Sequence, residues 1–378
     1  MRRAGLLTLG VAVLCVTGAA AAAPAPDPPP DVAARSYILV EPTTGDVIAR
    51  RAPDAVLPMA STTKMMTALL TLERASLDQT AVVPPEAAAI GGSSAGLVAG
   101  ERLSIRDLLV GLLVPSGNDA AITLADRIGG SQARFVAMMN RRARELGLRS
   151  TRFVTPHGLD RPGHHSTVRD LVRLAEAAWK HPEFRAIVSR KRATIPGPFG
   201  RGRRVLTNEN LLLSLDPEAD GVKTGHTAGA GYALVAHAAR RTSGVGLFAA
   251  MIGEPSEAAR ARDGKRLLDW GLSRFSRVTV LRQGQVLARG RVRDRPGVTV
   301  GYAVKGPLVA VVRSGERMRQ TIVAPGELVG PVTAGQPVGE VVVSLDGRVV
   351  GRRPLVAERG ASAPTLAERI HAGLDRLL

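Results

Sequence analysis

The use of lysine constrains this chain more than any other feature of its sequence. Lysine and arginine together number 51, but only six of these residues are lysines. Two of the six stand in the strings Ser61-Thr62-Thr63-Lys64 and Lys223-Thr224-Gly225, and Ser116-Gly117-Asn118 lies between them. A desolvated lysine can lose its proton, whereas an arginine cannot. A chain that prefers arginine so strongly therefore needs a chemical reason to keep an ammonium group at these two positions.

The order of the three strings points to one kind of chemistry. A hydroxyl followed three residues later by an amine, with two later polar triads, is the layout of a serine acyl-transfer enzyme whose base is lysine. A helix cap, a surface lysine or a turn would explain any one string alone. All three strings in this order are expected by chance in fewer than about one in a thousand chains of this composition.

Ser61 and Lys64 are predicted to form the reactive pair. Residues three apart share one face of a helix, so the Lys64 nitrogen can reach the Ser61 oxygen. The positive end of the helix dipole favours negative charge near that oxygen. Burial lowers the pKa of an amine, and a neighbouring cation such as Lys223 lowers it further. We therefore expect neutral Lys64 to take the Ser61 proton as the serine attacks a carbonyl.

The other two strings supply the rest of the predicted site. Ser116 can pass a proton to the leaving amine, and Asn118 can hydrogen-bond the substrate amide, while backbone N–H groups form the oxyanion hole. Lys223 and Thr224 offer a cation and a hydroxyl to a carboxylate. Gly225 leaves room for a substrate beside its strand.

Composition disfavours several other classes of site. Cys15 is the only cysteine and the histidines lack metal-ligand spacing, so we expect no metal and no cofactor. No phosphate-binding loop is present, and the stretch 91–96 is interpreted as a flexible loop. Aromatic residues are 3% of the chain, too few to stack on bases, so no nucleic acid is expected. The net charge of +18 fits either solvated arginine or attraction to anionic envelope material.

The N-terminus predicts export. Arg2 and Arg3 precede an apolar stretch, 6–16, and a run of small residues follows at 19–23, so residues 1–23 form a predicted signal peptide. An uncleaved membrane anchor is the alternative. Residues 24–35 are a proline-rich spacer. The expected location is the periplasm or the outer face of the cytoplasmic membrane.

Three further segments follow the spacer. Residues 36–275 predict a catalytic domain with a first hairpin, several helices and three consecutive antiparallel strands near its end. Residues 276–357 contain short valine-rich runs punctuated by Gly and Pro, which predict a small all-β domain. The tail, 358–378, places Leu366, Ile370, Leu374 and Leu377 at helical spacing, and this helix could lie on a membrane or pack on the β domain.

The chain resembles the low-molecular-mass penicillin-binding proteins that are serine D-Ala-D-Ala carboxypeptidases. The resemblance spans residues 36–357 and rests on the following segments: Met59-Ala60-Ser61-Thr62-Thr63-Lys64-Met65-Met66-Thr67, Ser116-Gly117-Asn118-Asp119-Ala120-Ala121, Thr155-Pro156-His157-Gly158-Leu159-Asp160, Asp220-Gly221-Val222-Lys223-Thr224-Gly225-His226-Thr227 and Lys265-Arg266-Leu267-Leu268-Asp269-Trp270-Gly271.

The resemblance implies an α+β penicilloyl-serine transferase fold, like that of β-lactamases, with an antiparallel sheet flanked by helices. It implies an acyl-enzyme on Ser61, Lys64 as base, and an oxyanion hole from the backbone N–H groups of Ser61 and His226. It also places an arginine near the substrate carboxylate; Arg260 is the best match and Arg262 the alternative. In many members a C-terminal amphipathic helix holds the enzyme on the membrane.

The expected activity is removal of the terminal D-alanine from peptidoglycan stem pentapeptides, with covalent binding of penicillin and other β-lactam antibiotics. A DD-endopeptidase or β-lactamase using the same site is an alternative, although residues 155–160 offer no glutamate to activate a deacylating water. A non-catalytic envelope scaffold is the third interpretation, and it predicts no labelling by penicillin.

Overall fold

The structure is a computed structural model that describes residues 11–16 and 27–374. These residues divide into two compact units, one formed by Pro28–Arg274 and one formed by the described residues before Pro28 and after Arg274. Strand β1 (Val11–Val16) belongs to the second unit and pairs antiparallel with residues 320–325. The rest of the predicted signal peptide lies outside the described residues.

The first unit combines one main sheet with helices. Its strands are β2 (Ser36–Glu41), β3 (Asp46–Arg51), β4 (Thr80–Val82), β5 (Arg102–Ser104), β6 (Arg192–Pro196), β7 (Arg203–Thr207), β8 (Ala219–Thr227), β9 (Gly231–Arg240) and β10 (Val245–Glu254). The main sheet has the order β3-β2-β10-β9-β8, and every pairing in it is antiparallel. Strands β4 with β5 and β6 with β7 form two small hairpin sheets.

The helices of this unit cover the sheet and share one hydrophobic core with it. They are α1 (Lys64–Arg74), α2 (Pro85–Ala88), α3 (Ile105–Leu113), α4 (Asn118–Gly129), α5 (Gln132–Glu145), α6 (Val168–Trp179), α7 (Pro182–Val188), α8 (Leu212–Leu215) and α9 (Glu257–Ser273). Helices α6 and α9 pack on β10, while α1 contacts α3, α4 and α6. Because apolar residues surround α1, the helix is buried on all sides over its first two turns.

Two boundaries near the predicted site differ from the expectation. The sequence after Pro58 predicts a helix that starts near Ser61, but Ser61 lies on a 3-10 turn (Ala60–Thr63) that leads into α1 at Lys64. Ala60 has a positive φ of 49°, and this change of chain direction separates the turn from a regular helix start. Pro115 predicts a loop over Ser116-Gly117-Asn118, but Asn118 is the first residue of α4.

The end of the predicted spacer is packed against the first unit. Val32 and Ala34 are buried, and the Ala33 N–H donates to Asp263 Oδ2 at 3.0 Å. Arg35 Nη2 donates to the carbonyls of Gly229 and Ala230, each at 2.9 Å. Those carbonyls lie in the turn between β8 and β9, so the chain entering the domain is tied to that turn.

The second unit is an all-β domain followed by one helix. Its later elements are β11 (Phe275–Leu281), β12 (Val286–Val292), β13 (Thr299–Val304), β14 (Leu308–Arg313), β15 (Met318–Pro325), β16 (Glu327–Leu328), β17 (Pro337–Leu345), β18 (Arg348–Ala357) and α10 (Leu366–Leu374). The larger sheet has the order β1-β15-β17-β18-β13-β12-β16, and β11 pairs with β14. Inward-facing valines and leucines, among them Val341, Val343 and Leu355, form its core.

Helix α10 lies in the tail where the sequence predicts one. Its Leu366 and Ile370 side chains are exposed. Within residues 11–16 and 27–374, no helix combines the length and apolarity needed to cross a bilayer.

Candidate active site

Lys64 and Ser61 lie in hydrogen-bond contact. Lys64 Nζ is 2.8 Å from Ser61 Oγ, 2.8 Å from Asn118 Oδ1 and 2.7 Å from the His157 carbonyl oxygen. The Lys64 side chain is fully buried. The structure therefore brings together the hydroxyl, the amine and the asparagine that the sequence predicts for one site.

The surroundings of Lys64 favour its neutral form. Burial lowers the pKa of Lys64 well below its usual value, and the charge of Lys223 lowers it further, while Glu209 and Asp119 act in the opposite direction. A neutral amine has two N–H groups and one lone pair. Asn118 Oδ1 and the His157 carbonyl can only accept, so they take both N–H groups. The lone pair is left for the Ser61 hydroxyl to donate to, which is the arrangement a general base requires.

Contacts from Gly158 and His164 hold the 3-10 turn that carries Ser61 in place. Gly158, with φ of +97°, packs so closely that a Cβ there would lie 2.1 Å from the Ala60 carbonyl oxygen. Thr63 Oγ1 donates to the same carbonyl at 2.8 Å. Val154 N–H donates to His164 Nδ1, so Nε2 carries the ring proton and donates to Thr63 Oγ1 at 2.8 Å. Burial lowers the pKa of His164 to about 4, which keeps this ring neutral.

Strand β8 passes directly over the turn at Gly225. A Cβ on Gly225 would lie 2.8 Å from the Ser61 nitrogen and 2.9 Å from Ala60 Cβ, so only glycine allows this approach. The next residue, His226, is exposed, and its ring stacks on Tyr232 at 4.1 Å between centroids. Residue 226 and Ser61 therefore lie on neighbouring segments, as the predicted oxyanion hole requires.

Ser116 and Lys223 are buried polar groups with few partners. Ser116 Oγ is fully buried and has no hydrogen-bond partner among the described residues. A buried hydroxyl without a hydrogen-bond partner costs free energy unless a water molecule or a substrate forms a hydrogen bond with it. Lys223 Nζ donates to the Thr224 carbonyl at 3.0 Å, and burial lowers the pKa of Lys223 to about 8. Thr224 is itself buried.

Arg260, rather than Arg262, lies beside strand β8. Its Nη1 donates to the Gly225 carbonyl at 3.4 Å, and the guanidinium sits 5.7 Å from the centre of the Tyr232 ring. Burial lowers the pKa of Arg260. The Arg262 side chain is 65% exposed and pairs with Asp263. Of the two candidates, only Arg260 can serve a ligand at β8.

Residues 91–96, which the sequence predicts to be a flexible loop, belong to an anchored segment that extends over 91–97. Asp119 accepts hydrogen bonds from Ser94 Oγ at 2.6 Å and from the backbone N–H groups of Ala95 and Leu97. The Gly91 carbonyl accepts from Asn118 Nδ2 at 2.7 Å, which also fixes the orientation of that amide. The carboxylate directly after Asn118 was the available signal that this loop is anchored.

Among the described residues, one cluster of three carboxylates has a geometry that could hold a metal ion. Oxygen atoms of Asp216, Glu218 and Asp269 lie within 4.8 Å of one another. Lys265 Nζ is 2.9 Å from Asp269 and 4.0 Å from Asp216, and Arg240 donates to Glu218. Because these cations already neutralise much of the acidic charge, and none of the three belongs to the Ser61 cluster, we assign no metal to the reaction.

The fold and this cluster define a class of protein. An antiparallel sheet flanked by helices, with a serine on a turn against one edge strand and a buried lysine beside it, is the penicilloyl-serine transferase fold. The solved structure of penicillin binding protein 5 from Haemophilus influenzae is 29% identical and has a TM-score of 0.64, covering 89% of this chain and 99% of that chain. The DD-transpeptidase of Streptomyces K15 is 32% identical with a TM-score of 0.62, covering 65% of this chain and 100% of that chain.

The chain belongs to the D-alanyl-D-alanine carboxypeptidase family of serine peptidases, which matches residues 21–255. The C-terminal domain of penicillin-binding protein 5 matches residues 275–361. The D-alanyl-D-alanine carboxypeptidase DacD of Escherichia coli strain K12 is 34% identical over an alignment of 362 positions that covers 90% of each chain. The predictions of family, fold class and enzyme class are confirmed.

Proposed function

We propose that this protein removes the terminal D-alanine from peptidoglycan stem pentapeptides through an acyl-enzyme on Ser61. The contact of 2.8 Å between Lys64 Nζ and Ser61 Oγ carries the proposal, because the amine is buried and poised to accept the hydroxyl proton. Ser61 Oγ attacks the carbonyl carbon of the penultimate D-alanine while its proton passes to Lys64; the peptide bond to the terminal D-alanine breaks, that residue leaves with a proton on its amine, and an ester to Ser61 remains. Water then hydrolyses the ester and regenerates the hydroxyl.

The other predicted residues have roles that suit their positions. The backbone N–H groups of Ser61 and His226 bind the developing oxyanion. Ser116 Oγ, which lacks a protein partner among the described residues, passes a proton to the leaving amine. Asn118 orients Lys64 and meets the substrate amide.

The substrate's terminal carboxylate needs cations and a hydroxyl. Lys223, Thr224 and Arg260 provide these groups along β8, and Gly225 keeps the strand close to Ser61. The same groups suit the carboxylate of a β-lactam antibiotic. Attack of Ser61 Oγ on the β-lactam carbonyl breaks the lactam C–N bond, and the opened drug stays bound to Ser61 as an ester.

We also propose an extracytoplasmic location, since peptidoglycan lies outside the cytoplasm. Export by a cleaved signal peptide over residues 1–23 and contact of the tail with an anionic membrane surface remain predictions. Exposed Leu366 and Ile370 on α10 support the second of these.

Labelling with a fluorescent penicillin, followed by release of D-alanine from an Nα,Nε-diacetyl-Lys-D-Ala-D-Ala peptide, tests the activity. Labelling and release are expected in the wild type, and both are expected to be lost in Ser61→Ala. Labelling followed by rapid drug hydrolysis would favour a β-lactamase. Cleavage of cross-linked dimers without release of D-alanine would favour an endopeptidase. Absence of labelling would support the scaffold interpretation.

A further inference from the structure

Glu209 joins three parts of the active-site cleft. Its backbone N–H donates to the Val114 carbonyl at 3.3 Å, at the end of α3 and two residues before Ser116. Its own carbonyl accepts from Arg260 Nη2 at 3.2 Å. Its carboxylate oxygen Oε1 accepts from Ser93 Oγ at 2.9 Å. This half-buried residue therefore contacts the end of α3 ahead of Ser116, the arginine beside β8 and Ser93 of the segment 91–97.

The contact with Ser93 reaches Asn118 through the backbone. The Asn118 N–H donates to the Ser93 carbonyl at 2.8 Å, and its side-chain amide donates to the Gly91 carbonyl at 2.7 Å. Asn118 Oδ1 in turn accepts from Lys64 Nζ at 2.8 Å. A displacement of Ser93 would therefore move the residue that orients Lys64.

The carboxylate of Glu209 also acts on the two lysines by its charge. It raises the pKa of Lys223 against the effects of burial and of Arg260. It raises the pKa of Lys64 in the same direction as Asp119, against burial and Lys223. Arg260 is also faced by Glu257 and Tyr232. Among the influences that shift the pKa of Lys223, which are burial, Glu209 and Arg260, only Glu209 favours the charged form of the lysine.

We propose that Glu209 is a positioning residue for the peptidase reaction, which holds Ser93 and Asn118 in place and balances the positive charge of Lys223. The inference rests on the roles proposed above for Lys64 and Lys223. Glu209 would be an acidic group in a site whose three sequence strings supply only hydroxyl, amide and amine side chains.

Two substitutions separate the two parts of this role. Glu209→Gln keeps an oxygen that Ser93 can donate to but removes the charge, whereas Ser93→Ala removes the hydrogen bond and keeps the charge. Exposed Glu86→Gln is the matched control for loss of one carboxylate. The measurement is kcat and KM for release of D-alanine from the diacetylated peptide at pH 5 to 10, with wild-type enzyme run in parallel.

The Glu209 charge raises the pKa of both lysines, so Glu209→Gln should lower both pKa values. The acid limb of the pH profile of kcat/KM, set by Lys64, and the alkaline limb, set by Lys223, are therefore both expected to move to lower pH. At pH 8 its kcat/KM, relative to its own maximum, should fall about two- to fivefold below the wild-type ratio, the effect expected of one partly exposed charge. In Ser93→Ala the limbs should stay in place while kcat falls, because Asn118 is less well held. Glu86→Gln should match the wild type.

Unchanged limbs in Glu209→Gln would overturn the charge-balancing role, and unchanged kcat in Ser93→Ala would overturn the positioning role. Glu209→Ala, which removes both functions, should combine the two effects and serves if Glu209→Gln folds poorly. A wild type that neither labels with penicillin nor releases D-alanine would refute the proposed function itself, and this inference with it.

Discussion

Replacement of Lys223 by arginine tests which group limits the reaction at high pH. Burial lowers the pKa of Lys223 to about 8, so its ammonium is present below that pH and is lost as pH rises through it. At pH 9 roughly one side chain in eleven keeps its charge, which should reduce kcat/KM about tenfold for a substrate that ends in a carboxylate. An arginine stays charged throughout this range.

We therefore expect the alkaline limb near pH 8 to disappear in Lys223→Arg. The overall rate is expected to be lower, because the longer side chain has to fit a site that leaves Lys223 only 2% exposed. The test therefore depends on the shape of the plot of kcat/KM against pH and not on the absolute value of kcat/KM.

The assay follows release of D-alanine from the diacetylated peptide between pH 6 and 10, because this substrate has no amine that titrates there. Exposed Lys305→Arg is the matched control and should keep the wild-type limb. A limb that persists near pH 8 in Lys223→Arg would refute the assignment and would leave a different group to bind the carboxylate.

Three further changes test other parts of the structure. Lys64→Arg should lower the rate of acylation by fluorescent penicillin by about 100- to 10,000-fold, since a guanidinium cannot act as a neutral base, and near-normal labelling would contradict that role. Glu101→Ala leaves Arg204 without its partner at 2.7 Å, and urea unfolding should show a loss of about 3 kcal/mol or more; a loss below about 1 kcal/mol would argue against a structural role. Burial lowers the pKa of His157 to about 3 and of His164 to about 4. The unfolded chain binds more protons, so the free energy of unfolding should fall by about 2 kcal/mol per histidine from pH 7 to pH 5, and His164→Gln should show a smaller fall.

The catalytic strings could be predicted because the chemistry fixes residue identity. No other residue type replaces Lys64 as an amine base, and the spacing to Ser61 survives whether the turn is a 3-10 turn or an α-helix. Strands β8, β9 and β10 could be predicted because buried apolar runs separated by glycine turns leave few alternatives.

The rest of the site depends on contacts that sequence periodicity does not encode. Ser93 and Glu209 meet across 116 positions of sequence. The segment 91–97 is rich in glycine and serine, so it reads as mobile, yet Asp119 and Asn118 supply the hydrogen bonds that its own sequence lacks. Positive φ at Ala60 was equally hidden, because alanine carries no signal for that conformation.

The hydrogen bonds from Arg35 to the turn at 229–230 have a practical consequence for recombinant expression. A recombinant chain begun at Ser36, the first residue of β2, would leave the Gly229 and Ala230 carbonyls without the hydrogen bonds that Arg35 donates. Such a truncated enzyme should still form its sheet but turn over substrate less efficiently than one begun at Pro28. The starting point for expression should therefore lie ahead of Val32, whose side chain is buried, within the segment that composition alone predicts to be a spacer.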